Sequence, residues 1–91
     1  MDKYYLNNCI NRYTKEQKHA TLIGKEIAIL EVKIGKPAWL CVKTEEDEWC
    51  PWDRVRTSTV KDVVEYDDKY YGKIIEIHTN NSIYYIESRV R

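Results

Sequence analysis

Ninety-one residues provide for one domain with one hydrophobic core, since a chain this short buries only about two-thirds of the surface it exposes when unfolded. Lysine plus arginine and aspartate plus glutamate both number 15, so no overall field draws the protein onto phosphate backbones or anionic membranes, although a local basic stripe stays open. The rings are skewed towards polar-tipped ones, eight Tyr and three Trp with no Phe, which suits both cores and contact surfaces. Cys9, Cys41 and Cys50 are odd in number and widely spaced, and no apolar leader precedes them, which predicts a reduced, cytoplasmic protein. The longest purely apolar run, Ile27 to Leu30, is far too short to span a membrane.

Leu6, Cys9, Ile10 and Tyr13 fall at i, i+3, i+4 and i+7, the stripe of a helix with one buried face. Asn7, Asn8 and Asn11 work against that helix because their side chains compete for backbone hydrogen bonds. Thr14-Lys15-Glu16-Gln17 has the form of a capping box, so the spacing predicts a helical segment over residues 1–24 that stops at Gly24.

From Glu26 the period changes to two. Ala28, Leu30, Val32 and Ile34 share one face and Ile27, Ile29, Glu31 and Lys33 the other, which predicts a strand running beneath the helix. Gly35-Lys36-Pro37 supplies a turn, and Ala38 to Lys43 reads as the returning strand. Thr44 to Glu48 forms an acidic loop, residues 52–56 are a weaker strand, Val60 to Tyr66 a better one, and Asp67 to Gly72 a connection.

The clearest element is Lys73 to Glu87, a hairpin turning at Asn80-Asn81, since Asn tolerates the positive φ that matches strand twist. That turn pairs Thr79 with Ser82, Ile77 with Tyr84 and Ile75 with Ile86 on one face, and His78 with Ile83 and Glu76 with Tyr85 on the other. As the last element the hairpin is expected to leave an edge, guarded by Lys73, Glu87 and Arg89, and the chain is expected to be a monomer or a homodimer. The resulting fold class is α+β: an N-terminal helical segment packed on a strongly bent antiparallel sheet or SH3-like barrel of five to six strands over residues 25–91.

Chemistry finds little support in the motifs. Cys41 and Cys50 are nine apart, Cys9 is distant, and His19 and His78 sit in unrelated contexts, so no metal site with paired knuckles is expected. Ser58 lacks a Gly-flanked elbow, and Gly24, Gly35 and Gly72 stand alone, which argues against nucleophilic catalysis and against a phosphate-cradling loop. The expectation is therefore a protein that is not an enzyme and uses no cofactor.

The feature a partner could read is the acidic run Glu45, Glu46, Asp47 and Glu48, followed by Trp49, Trp52 and Arg54. Carboxylates steer association and rings supply affinity, so these residues are the candidate protein-binding site. One of Trp49 and Trp52 is expected to anchor the core and the other to face a partner. The competing reading is a small barrel that binds single-stranded nucleic acid through Trp52, Arg54, Arg56 and Lys61, extended by Arg89 and Arg91, with Asp53 and the acidic run opposing it.

Arg56-Thr57-Ser58-Thr59-Val60, followed by Ile77-His78-Thr79-Asn80-Asn81-Ser82-Ile83-Tyr84, resembles a pattern in small uncharacterised proteins of bacterial phages and mobile elements. The likeness covers about 40 C-terminal residues and carries no catalytic group. It implies a stoichiometric inhibitor or adaptor of host machinery, including defence nucleases.

Overall fold

The computed structural model of the chain describes residues 2–43, 49–70 and 72–90, with the side chains of 2, 30–31, 49–54 and 89–90 outside that description. Six strands, β1 (Asp2–Asn11), β2 (Glu26–Glu31), β3 (Pro37–Lys43), β4 (Trp49–Asp68), β5 (Gly72–Thr79) and β6 (Ser82–Val90), follow one another around a closed antiparallel barrel. β6 returns to pair with β1 from Asp2↔Val90 to Asn11↔Ser82. The fold is all-β. Among the described residues the helical content is one 3-10 turn, Ala20–Leu22.

The helix expected over residues 1–24 is therefore corrected to a strand and an irregular connection. A β-bulge explains the misleading stripe. The register between β1 and β6 shifts between Leu6 and Asn8, so one extra residue lets Leu6 and Cys9, three apart, both point inward. A regular strand would send them to opposite faces, and a helix to the same one. Tyr13, the supposed fourth member, is 75% exposed.

The asparagines take the role their chemistry favours. Asn11 Oδ1 accepts from the backbone N–H groups of Tyr13 and Thr14, and Asn8 Oδ1 accepts from that of Cys9. Thr14 Oγ1 accepts from Glu16 N, a local turn in place of a capping box. The connection then folds back on β1, with Lys18 N donating to Cys9 O and Gly24 N to Leu6 O.

The core takes one side of each strand: Leu6 and Cys9 from β1, Ile27 from β2, Ala38, Leu40 and Val42 from β3, Val60 from β4, Ile75 and Ile77 from β5, Tyr84 and Ile86 from β6. The β5–β6 register is the expected one, with Ile77↔Tyr84, Ile75↔Ile86, Glu76↔Tyr85 and His78↔Ile83. Its turn is made differently. Among the described residues the positive-φ ones other than Gly are Lys15 and His19, so Asn80 and Asn81 turn without the left-handed conformation. Thr79 Oγ1 instead accepts from Ser82 N and donates to Ser82 O, both at 3.0 Å.

The expected free edge is also corrected, because β6 lies between β5 and β1 and Glu87, opposite Tyr5, is buried. The two strands expected within residues 52–66 are one, since β4 runs unbroken for 20 residues. It pairs with β3 as far as Thr59 and with β5 from Val60, with register shifts on either side of the change.

At this corner the hydroxyl-bearing run Thr57-Ser58-Thr59 meets two turns. Thr57 Oγ1 accepts from Ala38 N at 2.8 Å and donates to Ser58 O at 2.7 Å. Val60 O accepts from Gly35 N and Val60 N donates to Lys36 O, while Asn80 N donates to Thr59 O and Asn81 N to Ser58 Oγ. Gly35 sits at φ 94, a conformation that glycine adopts without a Cβ penalty.

Thr57 is buried, so Thr57→Val leaves the Ala38 N–H without its acceptor inside the protein. The expected cost is about 1–3 kcal/mol, a thermal midpoint lower by at least ~4 °C, whereas Thr57→Ser keeps the hydroxyl and stays close to wild type. Thermal unfolding of the two variants checks this.

Candidate functional site

The outer surface of the β3–β4 hairpin is set by alternation. With Ala38, Leu40 and Val42 inward, Trp39 faces out and Cys41 is half-buried. Trp39 pairs across the ladder with Arg56, whose guanidinium carbon lies 5.9 Å from the centroid of the indole ring. That contact is a cation–π pair on the outside of the barrel, and Trp39 remains 40% exposed. Cys41 pairs with Arg54 and Lys43 with Trp49 along the same ladder.

Of the residues singled out from the sequence, Trp49, Trp52 and Arg54 have their backbone in β4, with their side chains outside the described part. Glu45, Glu46, Asp47 and Glu48 lie outside the described residues. The two ladder pairs place the chain on either side of that acidic run at the end of the same hairpin that carries Trp39 and Arg56. Trp39 is the residue that sequence reasoning missed. The signal for it was present, since a strand with Ala38, Leu40 and Val42 on the core side must turn Trp39 to solvent.

Two polar clusters flank the barrel elsewhere. On the outer face of β5, Glu76 Oε1 lies 2.9 Å from His78 Nε2. His78 is thus paired with a carboxylate on its own strand. The same carboxylate accepts the Tyr66 hydroxyl, and that hydrogen bond, followed by burial and the Glu76 charge, pushes Tyr66 up to about 12.

The second cluster lies where the β1–β2 connection packs against β1 and β6. Lys18 Nζ donates to Ser82 Oγ at 2.7 Å, Tyr84 is hydrogen-bonded to Cys9 and Ser82, and the His19 ring stacks on Tyr84 with centroids 6.2 Å apart. Burial, with Lys18 beside it, holds His19 below the usual histidine value. Burial also pushes the Cys9 thiol up to about 11 and Tyr84 to about 12. A fully buried thiol held protonated is not a nucleophile, so Cys9 serves here as a packing residue. Among the described residues no three His, Cys, Asp or Glu side chains converge as a metal site, and no helix is long and apolar enough to cross a membrane.

Comparison with protein-family models, with curated proteins and with solved structures finds no match.

The buried thiol makes a pH prediction. Cys9 loses its proton near 9.0 in the unfolded chain and near 11 in the fold, so over that interval the native state holds more protons than the unfolded one. Stability is full below pH 9.0 and falls as pH rises towards about 11, with Tyr84 extending the fall from 10.0 to about 12. Urea midpoints followed across this range decline less steeply in Cys9→Ala than in wild type.

Proposed function

We propose that the protein is a non-enzymatic binding module of the reducing cytoplasm that engages a protein partner through the outer face and far end of the β3–β4 hairpin. The observation that carries this is the Trp39–Arg56 pair, an indole 40% exposed with a guanidinium stacked over it on the outside of a closed barrel. Tryptophan and arginine dominate the energetics of protein interfaces. Stacking the guanidinium on the ring orders both groups in advance, which lowers the entropy lost when a partner covers them.

The acidic run Glu45, Glu46, Asp47 and Glu48 follows directly on β3, so one hairpin offers aromatic and basic anchors together with a block of carboxylates. Rings and guanidinium supply affinity, and the carboxylates steer a basic partner into place. A stoichiometric inhibitor or adaptor of the kind encoded by phages and mobile elements needs no more than this. The resemblance of residues 56–60 and 77–84 to such proteins points the same way.

Quantitative affinity capture from the source cell, comparing wild type with variants, tests the reading. Trp39→Ala should weaken the captured complex by about 2 kcal/mol, roughly thirtyfold, in keeping with a central interface tryptophan. Replacing Glu45, Glu46 and Glu48 by Lys should slow association and flatten its salt dependence while leaving the thermal midpoint nearly unchanged. A partner retained equally by wild type and both variants refutes the proposal.

A further inference from the structure

Zero net charge leaves room for a local gathering of cations, and the fold makes one. Glu65, Asp67 and Asp68 at the end of β4 are mixed with Lys69 and Lys73, and Glu65 is paired with Lys73 at 3.5 Å. Arg12, Lys15, Lys36 and Lys61, distant in sequence, come instead to the corner where β4 changes partners. Arg12 N donates to Asn81 O at 2.9 Å and Arg12 Nη1 to Thr79 O at 3.1 Å, so this cation is fastened to the β5–β6 turn. Lys15 Nζ donates to Arg12 O at 2.9 Å.

On the other side of that turn, Asn81 N is held by Ser58 Oγ and Asn80 N by Thr59 O. The next chain beyond carries Lys36, whose carbonyl accepts from Val60 N at 3.0 Å, with the exposed Lys61 following Val60 directly. None of Arg12, Lys15, Lys36 and Lys61 forms an ion pair with a carboxylate among the described residues. The acids nearest in sequence are Glu16, exposed in the turn after Lys15, and Asp62, whose Oδ1 accepts from Val63 N.

The arrangement is a hairpin turn with cations on both flanks. Chains packed side by side lie about 4.8 Å apart, so crossing from Arg12 past Asn81 and Ser58 to Lys36 spans roughly 10–15 Å, close to the ~12 Å width of the DNA major groove. Asn81 at the tip is exposed, and a carboxamide donates and accepts hydrogen bonds alike. Cations that have no carboxylate partner and are partly fastened by backbone bonds meet phosphates with little loss of side-chain freedom.

We propose that this corner binds the phosphate backbone of duplex DNA without sequence selection, the Asn80-Asn81 turn entering a groove and the two cationic flanks contacting opposite strands. The site adjoins the Trp39–Arg56 pair along the β3–β4 ladder, at the end where Pro37 pairs with Thr59, and uses other side chains. A protein carrying both would bring its protein partner to DNA.

The test is fluorescence anisotropy of a labelled mixed-sequence duplex and, in parallel, labelled oligo-dT, each titrated over a range of salt. The duplex should bind at low salt with a log–log salt slope of about −3 to −4, as three or four phosphate contacts require. Lys36→Glu combined with Lys61→Glu should lower affinity at least about tenfold and reduce the slope by about 2. Both side chains are exposed, so the thermal midpoint should hold. If it does not, Lys36→Gln with Lys61→Gln removes the charges alone and should give the same change in slope.

Trp39→Ala, which disables the proposed protein contact, should leave duplex affinity unaltered, so each reading fails or stands by itself. The DNA proposal is overturned by the absence of duplex binding at low salt, or by an unchanged slope in the lysine variants. It is also overturned by tighter binding of oligo-dT that Trp39→Ala abolishes, since that is base stacking on the β3–β4 face.

Discussion

Everything in this barrel depends on how β4 turns its corner. A strand of 20 residues cannot stay in one flat ladder in a domain of this size, and β4 leaves β3 for β5 between Thr59 and Val60. A change of partner exposes backbone donors and acceptors inside the protein unless other groups take them. Here the Thr57 and Ser58 hydroxyls and the turns at Gly35-Lys36 and Asn80-Asn81 do so, each by a hydrogen bond between 2.8 and 3.1 Å. Segments remote in sequence are thereby locked to one another, which is why closure of the barrel and placement of its surface groups are a single event. Residues 56–60 and 77–84 supply most of the groups in this joint.

The joint also decides what faces outward. Once Ala38 is held by Thr57, the alternation along β3 turns Trp39 to solvent opposite Arg56, and the same corner gathers lysines and Arg12 around the Asn80-Asn81 turn. Inside, Cys9, Ser82 and Tyr84 are buried and Tyr84 is hydrogen-bonded to the other two, with Lys18 reaching in from the β1–β2 connection. The polar groups of the interior are thus spent on one another and serve the fold. Those of the exterior include cations that no carboxylate in the described structure neutralises, and these are the ones available to a partner.

Where sequence reasoning succeeded and where it failed follow from the range of the forces involved. The β5–β6 hairpin was legible because its apolar set, Ile75, Ile77, Tyr84 and Ile86, is local and of strict period two, and one register buries it. The conformation of its turn was not, because beyond the local Thr79–Ser82 bonds Asn80 and Asn81 are held by Thr59, Ser58 and Arg12, each more than 20 residues away. The N-terminal segment was misread for a related reason. A bulge at Asn7 imitates helical spacing in Leu6 and Cys9, and β1 exists as a strand only because β6 is there to receive it. A propensity weighed over a few residues cannot register a partner at the other end of the chain.

The sequence by itself determined that there is one core, that most of the chain after Gly24 is strand, and the register of the last hairpin, because hydrophobic period and turn chemistry act between near neighbours. Tertiary structure alone decided that β1 is a strand, that β6 closes on it and leaves no edge there, and that β4 is one bent strand. It alone also brought Arg12, Lys36 and Lys61 to one corner and set Arg56 over Trp39. Those outcomes rest on hydrogen bonds and burial between segments far apart in sequence, and such bonds take their meaning only once the barrel is closed.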